Sequence, residues 1–158
     1  MHNTMHHIRF INLICFAFCV GYFSFSHRAI ADVITLQGLH FGEFVITDNN
    51  SVHGITVNID GSVSHSGAVI EINAPRPGIY QIDGLPPNNV INVIVSQDQP
   101  MVGNSNSFNL TNFQESHTNS NAGGITDITI GATAETSGNG QPYVDQNYSG
   151  QVRIQISF

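Results

Sequence analysis

The sequence predicts an all-β chain, an antiparallel sandwich or barrel of seven to nine short strands. Three observations carry this. Apolar and polar residues alternate at period two through most of the chain, and no stretch shows a 3.6-residue period. Gly, Pro, Asn and Asp cluster between the alternating runs, where tight turns need them. The one long apolar run, Phe10–Phe25, stands apart at the N-terminal end.

That first segment reads as a secretory signal peptide. Met1–Arg9 is polar and weakly basic, Phe10–Phe25 is apolar apart from Asn12, Gly21, Tyr22 and Ser24, and Ala29-Ile30-Ala31 is an A-x-A cleavage signature. The apolar run is shorter than the ~20 residues of a spanning helix, so no permanent membrane span is expected. The expected organisation is a signal peptide over 1–31 and one domain over 32–158, exported to the periplasm, the cell surface or the medium. Cys15 and Cys19 both leave with the signal, so the mature domain has no thiol and no disulfide.

The strands follow in order. Leu39, Phe41 and Glu43 alternate before Phe44–Ile46. In His53–Ile59, Ile55, Val57 and Ile59 share a face; Asp60-Gly61 then supplies a tight hairpin turn, with Val63–His65 returning. Ala68–Asn73 places Ala68, Ile70 and Ile72 on one face, opposite Val69 and Glu71. Ile79–Asp83 lies between proline and glycine breakers. Val90–Ser96 groups Ile91, Val93 and Val95, with Val90 and Ile94 opposite. Phe108–Phe113 is a weaker strand. Ile125–Glu135 groups Ile128, Ile130, Ala132 and Ala134. Gly150–Phe158 alternates most cleanly, with Val152, Ile154, Ile156 and Phe158 forming an apolar comb against Gln151, Arg153, Gln155 and Ser157. Gln97–Ser107, Gln114–Gly124 and Thr136–Ser149 have loop composition. The buried sets Ile55/Val57/Ile59, Ile91/Val93/Val95 and Ile128/Ile130 are expected to meet across two sheets.

Charge narrows the partners. There is no lysine; Arg76 and Arg153 are the only arginines after residue 31, against all 11 acidic residues. Such a surface repels nucleic acid and anionic membrane. No catalytic signature is present: neither a G-x-S-x-G elbow, nor H-E-x-x-H, nor a phosphate loop, and thiol and Schiff-base nucleophiles are missing from the mature chain. Of its histidines His40, His53, His65 and His117, the pair His53 and His65 flanks the Asp60-Gly61 turn without a specific metal-ligand spacing, so solvated surface histidines are expected. Asp48-Asn49-Asn50-Ser51 lacks the ligand alternation of a calcium loop and reads as a turn. No catalytic, cofactor or metal site is therefore assigned. Asn49, Asn109 and Asn147 each begin a glycosylation sequon, a pattern frequent by chance in an Asn-rich chain.

Laid out this way, Leu39–Phe158 resembles a bacterial family of exported proteins, domain of unknown function 4402. The likeness rests on Leu39-His40-Phe41-Gly42-Glu43-Phe44; on Gly54–Ser62 around its D-G turn, with Pro77–Gly84 following; and on Ile130-Gly131-Ala132-Thr133, then Tyr148-Ser149-Gly150 and the closing strand. That family is similar to spore-coat-U and chaperone–usher pilin subunits. The resemblance implies an immunoglobulin-like sandwich at the cell surface and brings no catalytic residues. Pilin-type subunits often carry a disulfide and a longer N-terminal donor extension; here only Asp32–Gly38 precedes Leu39.

The expected function is an exported, non-catalytic structural or adhesive subunit, pilin-like, assembled by strand complementation with a periplasmic chaperone or identical subunits as partners. Val152, Ile154, Ile156 and Phe158 form the assembly strand, and Val33, Ile34 and Leu36 a candidate N-terminal donor or closing strand. The alternatives are a free-standing secreted or periplasmic module binding through its polar loops, and, with strands mostly too short and aromatics too few, a small outer-membrane barrel.

Overall fold

A computed structural model describes residues 31–104, 106–116 and 119–158. Residues 1–30, which hold nearly all of the expected signal peptide and both cysteines, lie outside the described residues, as does His117. Among the described residues there is no helix, and so none long and apolar enough to cross a membrane.

Ten strands form: β1 (Asp32–Gln37), β2 (Glu43–Ile46), β3 (Gly54–Val57), β4 (Val63–His65), β5 (Val69–Asn73), β6 (Gly78–Asp83), β7 (Asn92–Val102), β8 (Ser107–Glu115), β9 (Thr126–Glu135) and β10 (Ser149–Ser157). The expected seven to nine become ten because Asp32–Gln37, whose apolar residues do not alternate cleanly, pairs with β6. The expected loop Gln97–Ser107 is also shorter, since β7 runs on through Val102. Its polar residues there are paired with β10, which supplies the hydrogen bonds that composition did not suggest.

The main path of hydrogen-bonded neighbours is β1-β6-β9-β8-β7-β10, all antiparallel, with the β3–β4 hairpin added on β9. β7 and β8 pair only at Met101–Phe108 and Val102–Ser107. Beyond that corner β8 continues along β9 and β7 along β10, so the sheet folds over into two layers. The layers face each other: Val93 and Val95 of β7 share a buried cluster with Tyr80 and Ile82 of β6 and Ile128 and Ile130 of β9. In an immunoglobulin-type sandwich one sheet is ordered A-B-E-D and the other C-F-G. Here β1-β6-β9-β8 takes the places of A-B-E-D in chain order, and β7-β10 those of C and F. No strand takes the place of G among the described residues. Strands β2 to β5 are inserted between A and B, and β2 pairs with β5 as a separate two-stranded sheet.

The core has two halves joined by β9. Ile128 and Ile130 belong to the half with Ile91, Val93 and Val95; Ala132 and Ala134 belong to the half with Phe41, Ile55, Val57, Val69, Phe108 and Leu110. The change from isoleucine to alanine along one strand makes room for the Phe108 ring. Gly131, at the change, lets β3 approach: a Cβ there would sit 2.4 Å from the Val57 carbonyl oxygen. Ile55 and Val57 therefore pack in a different half of the core from Ile91, Val93 and Val95, and Ile59 lies outside it on the turn, exposed.

On β5 the face with the single valine turns inward, and the one with Ile70 and Ile72 turns outward. Val69 is buried, while Ile70 and Ile72 are 57% and 56% exposed. The partner strand decides this. Register pairs Ile46 with Val69 and Val45 with Ile70. Phe44 and Ile46 pack on the core, so Val69 turns inward beside Ile46, and Ile70 turns outward beside Val45.

Candidate functional site: a groove between two strand edges

Among the described residues β10 pairs only with β7 and β2 only with β5, so one edge of each has no neighbouring strand. Between these edges runs an open groove of about 1100 Å³, walled by residues 38–46 on one side and by 143–150 with Val152 on the other. It lies beside β10, the strand in the place of F.

The β2 wall is fixed by its sequence. Phe41 is buried in the core, and His40 and Arg76 exchange two backbone hydrogen bonds of 3.0 and 2.7 Å. Gly42 has φ +74°, and a Cβ on it would lie 2.1 Å from the Asn73 carbonyl oxygen, so only glycine fits the bend that aims β2 along the groove. The Gly42 N–H donates to His40 Nδ1 at 2.9 Å, which fixes the ring beside the bend.

The floor is aromatic. Phe108 stacks on Tyr143 at 4.4 Å between ring centroids and meets Tyr148 and Phe44 edge-on at 4.9 and 5.4 Å, favourable geometries for ring quadrupoles. Leu110, Met101 and Val152 extend it. The tyrosine hydroxyls are used internally: Tyr143 donates to the Ser107 carbonyl at 2.7 Å and accepts from Ser137 N–H at 3.0 Å, and Tyr148 donates to the Val144 carbonyl at 3.2 Å.

The opposite wall is a long loop, and a residue that sequence reasoning passed over pins it. Asn49, read only as part of a turn, is buried. Its Nδ2 lies 3.2 Å from Ser137 Oγ, 3.0 Å from Asn139 Oδ1 and 2.7 Å from the Gln141 carbonyl; its Oδ1 accepts from Gly138 N–H at 3.0 Å, and its carbonyl from Gly140 N–H at 2.7 Å. A buried side-chain amide needs four partners, and the Ser-Gly-Asn-Gly-Gln loop supplies them. The same burial closes the Asn49 sequon to any glycan. Asn104 N–H donating to Gln146 Oε1 (2.9 Å) and Asn106 Nδ2 donating to the Pro142 carbonyl (2.8 Å) tie the loop to the β7–β8 corner.

The residues singled out from sequence are placed as follows. Val152 lines the groove, while Ile154 and Ile156 are half-buried against the cluster around Ile128. Phe158 is 49% exposed. Val33, Ile34 and Leu36 lie on β1 at the far edge of the A-B-E-D sheet, paired to β6 and away from β10, with Leu36 55% exposed. Arg153 forms an ion pair with Asp98 on β7. His53 and His65 do not converge: the first lies near Ser51 and Asp48, the second 3.8 Å from Glu71. The Ser51–His53–Asp48 trio is not a hydrolytic triad, because hydroxyl (3.2 Å) and carboxylate (3.9 Å) both face Nε2, whereas a triad needs one on each ring nitrogen. Among the described residues no three metal-ligating side chains gather.

Residues 32–158 match the family described as Domain of unknown function (DUF4402). The chain belongs to that family. The match spans all ten strands, and with them both groove walls, so the DUF4402 domain here is the whole sandwich rather than one of its layers. No curated protein and no solved structure matches the chain.

Proposed function

We propose that this DUF4402 protein is an exported, non-catalytic structural or adhesive subunit, pilin-like, that is completed by a β-strand from another polypeptide. The observation that carries the reading is the groove: among the described residues no strand takes the place of G, β2 and β10 each have an unpaired edge, and an apolar floor lies between them. Unpaired strand edges are costly to leave open and template further pairing, and addition of an extended segment to such an edge is an established recognition mode. The half-buried comb of β10 is consistent with it, since the face that a neighbouring strand would cover is still partly open. The loop wall speaks against recognition through polar loop groups, because Asn49 and Asn139 bond each other and the Tyr143 and Tyr148 hydroxyls bond backbone groups of Ser107, Ser137 and Val144.

The test is complementation. A peptide with apolar residues at alternate positions, added to the purified protein, is expected to raise its melting temperature and to slow amide exchange on the outer edge of β10. A monodisperse monomer, stable alone and indifferent to every such peptide, overturns the reading in favour of a free-standing module.

A further inference from the structure

We infer that the strand filling the groove comes from a different, cationic polypeptide and not from a second copy of this chain. The inference rests on the strand-acceptor reading and adds the identity of the partner. Two independent observations carry it.

The first is charge. Glu43 on the β2 wall and Asp145 on the loop wall are the acidic side chains lining the groove, one on each side; one carboxylate oxygen of Glu43 accepts from Asn73 Nδ2 and leaves the other to the rim. No arginine lines it, and Arg153 of β10 is engaged by Asp98 on the far side of that strand. The field is reinforced by the rest of residues 32–158, whose two arginines face 11 acids. A strand lying between these walls keeps its apolar alternate side chains on Phe108 and Leu110 and presents the others to the rims. Lysine or arginine at those positions meets Glu43 and Asp145; acidic residues are repelled. A second copy has no lysine, and its free β1 edge strand begins with Asp32 and contains no cation.

The second is the tether. For β1 of one copy to reach the groove of another, it must leave β6, where five of its six residues are in register. The link that follows β1 is anchored: His40 and Arg76 are doubly bonded, Phe41 is buried, and Gly42 is locked under Asn73, so β1 can leave only by swinging on Gly38 and Leu39.

The experiment compares three peptide probes on the whole protein by isothermal calorimetry at low and high salt. One alternates apolar residues with lysine, the second has the same apolar residues with glutamate, and the third repeats Asp32–Gln37. The lysine probe is expected to bind roughly tenfold tighter than the glutamate probe, the worth of two rim ion pairs. The preference is expected to shrink at high salt and in the double variant E43Q/D145N, with thermal melting confirming that the variant is folded. Equal binding of the two charged probes, or tightest binding by the Asp32–Gln37 probe, overturns this inference while leaving the strand-acceptor reading intact. Failure of all three probes overturns both.

Discussion

Asn49 carries more of the groove than any side chain that contacts its floor. It makes its amide contacts to four residues of the loop from one buried position. Replacing it by alanine leaves those loop groups to water or to nothing. At about 0.5–1.5 kcal/mol net per hydrogen bond, Asn49→Ala is expected to cost about 2–4 kcal/mol in urea unfolding. It should also loosen residues 136–148 selectively in hydrogen exchange; a uniform loss over the whole fold would mean that Asn49 serves the core and not the wall. Val93 probes the core directly: Val93→Asp places an unpaired carboxylate in a buried site facing Ile128 and Ile130, with an expected cost of about 3–5 kcal/mol. At the surface, the Asp60-Gly61 turn is pH-sensitive. The Ser62 hydroxyl, and then the Ser62 N–H, donate to the Asp60 carboxylate and hold its pKa below the ordinary aspartate value of 3.8. A depressed carboxylate stabilises above its unfolded pKa and loses that contribution as pH falls through the folded value. Exchange of the Ser62 amide is therefore expected to be slow and pH-independent in its protection above 3.8, then to lose protection on further acidification; Asp60→Ala should abolish the transition.

Among the strands, β10 gives the sharpest measurement. It is bonded along one edge, so its amides are expected to alternate between protected and fast-exchanging through Arg153–Ser157, the protected set being the one directed at β7. Uniform protection would mean that the outer edge is covered. This strand was also the most legible in the sequence, because its alternation is unbroken and its ends are plain. β9 was legible for the same reason. β5 was not: its isoleucines and its valine are equally apolar, and only the register against Phe44 and Ile46 on β2 settles which face turns inward. β1 was weakly legible because its pairing with β6 joins segments far apart in the chain. The groove was foreseen as an open edge beside β10, but its second wall depends on Asn49 reaching across nearly ninety residues to a loop, and no local pattern encodes that.

At the scale of the whole molecule, the sandwich stands on burial and strand pairing alone. No cysteine lies among residues 32–158, and no three-ligand cluster forms among the described residues. Thermal melting is accordingly expected to be the same with and without dithiothreitol or a chelator. A drop with either would require a covalent or metal link between segments that the fold holds together by packing.

The position of β9 in the pairing scheme has a kinetic consequence. It is the shared neighbour of β3, β6 and β8 and, among the described residues, the one strand that gives fully buried side chains to both halves of the core, yet it is ninth of the ten in chain order. A nascent chain halted at residue 125 owns isolated ribbons and no sheet to join them. Most contacts in the finished fold link residues distant in sequence, a topology that folds slowly, on the order of milliseconds to seconds. The sheet thus cannot close until Thr126–Glu135 emerges, and any machinery that must thread the chain through a narrow channel meets a polypeptide that has not yet closed on itself.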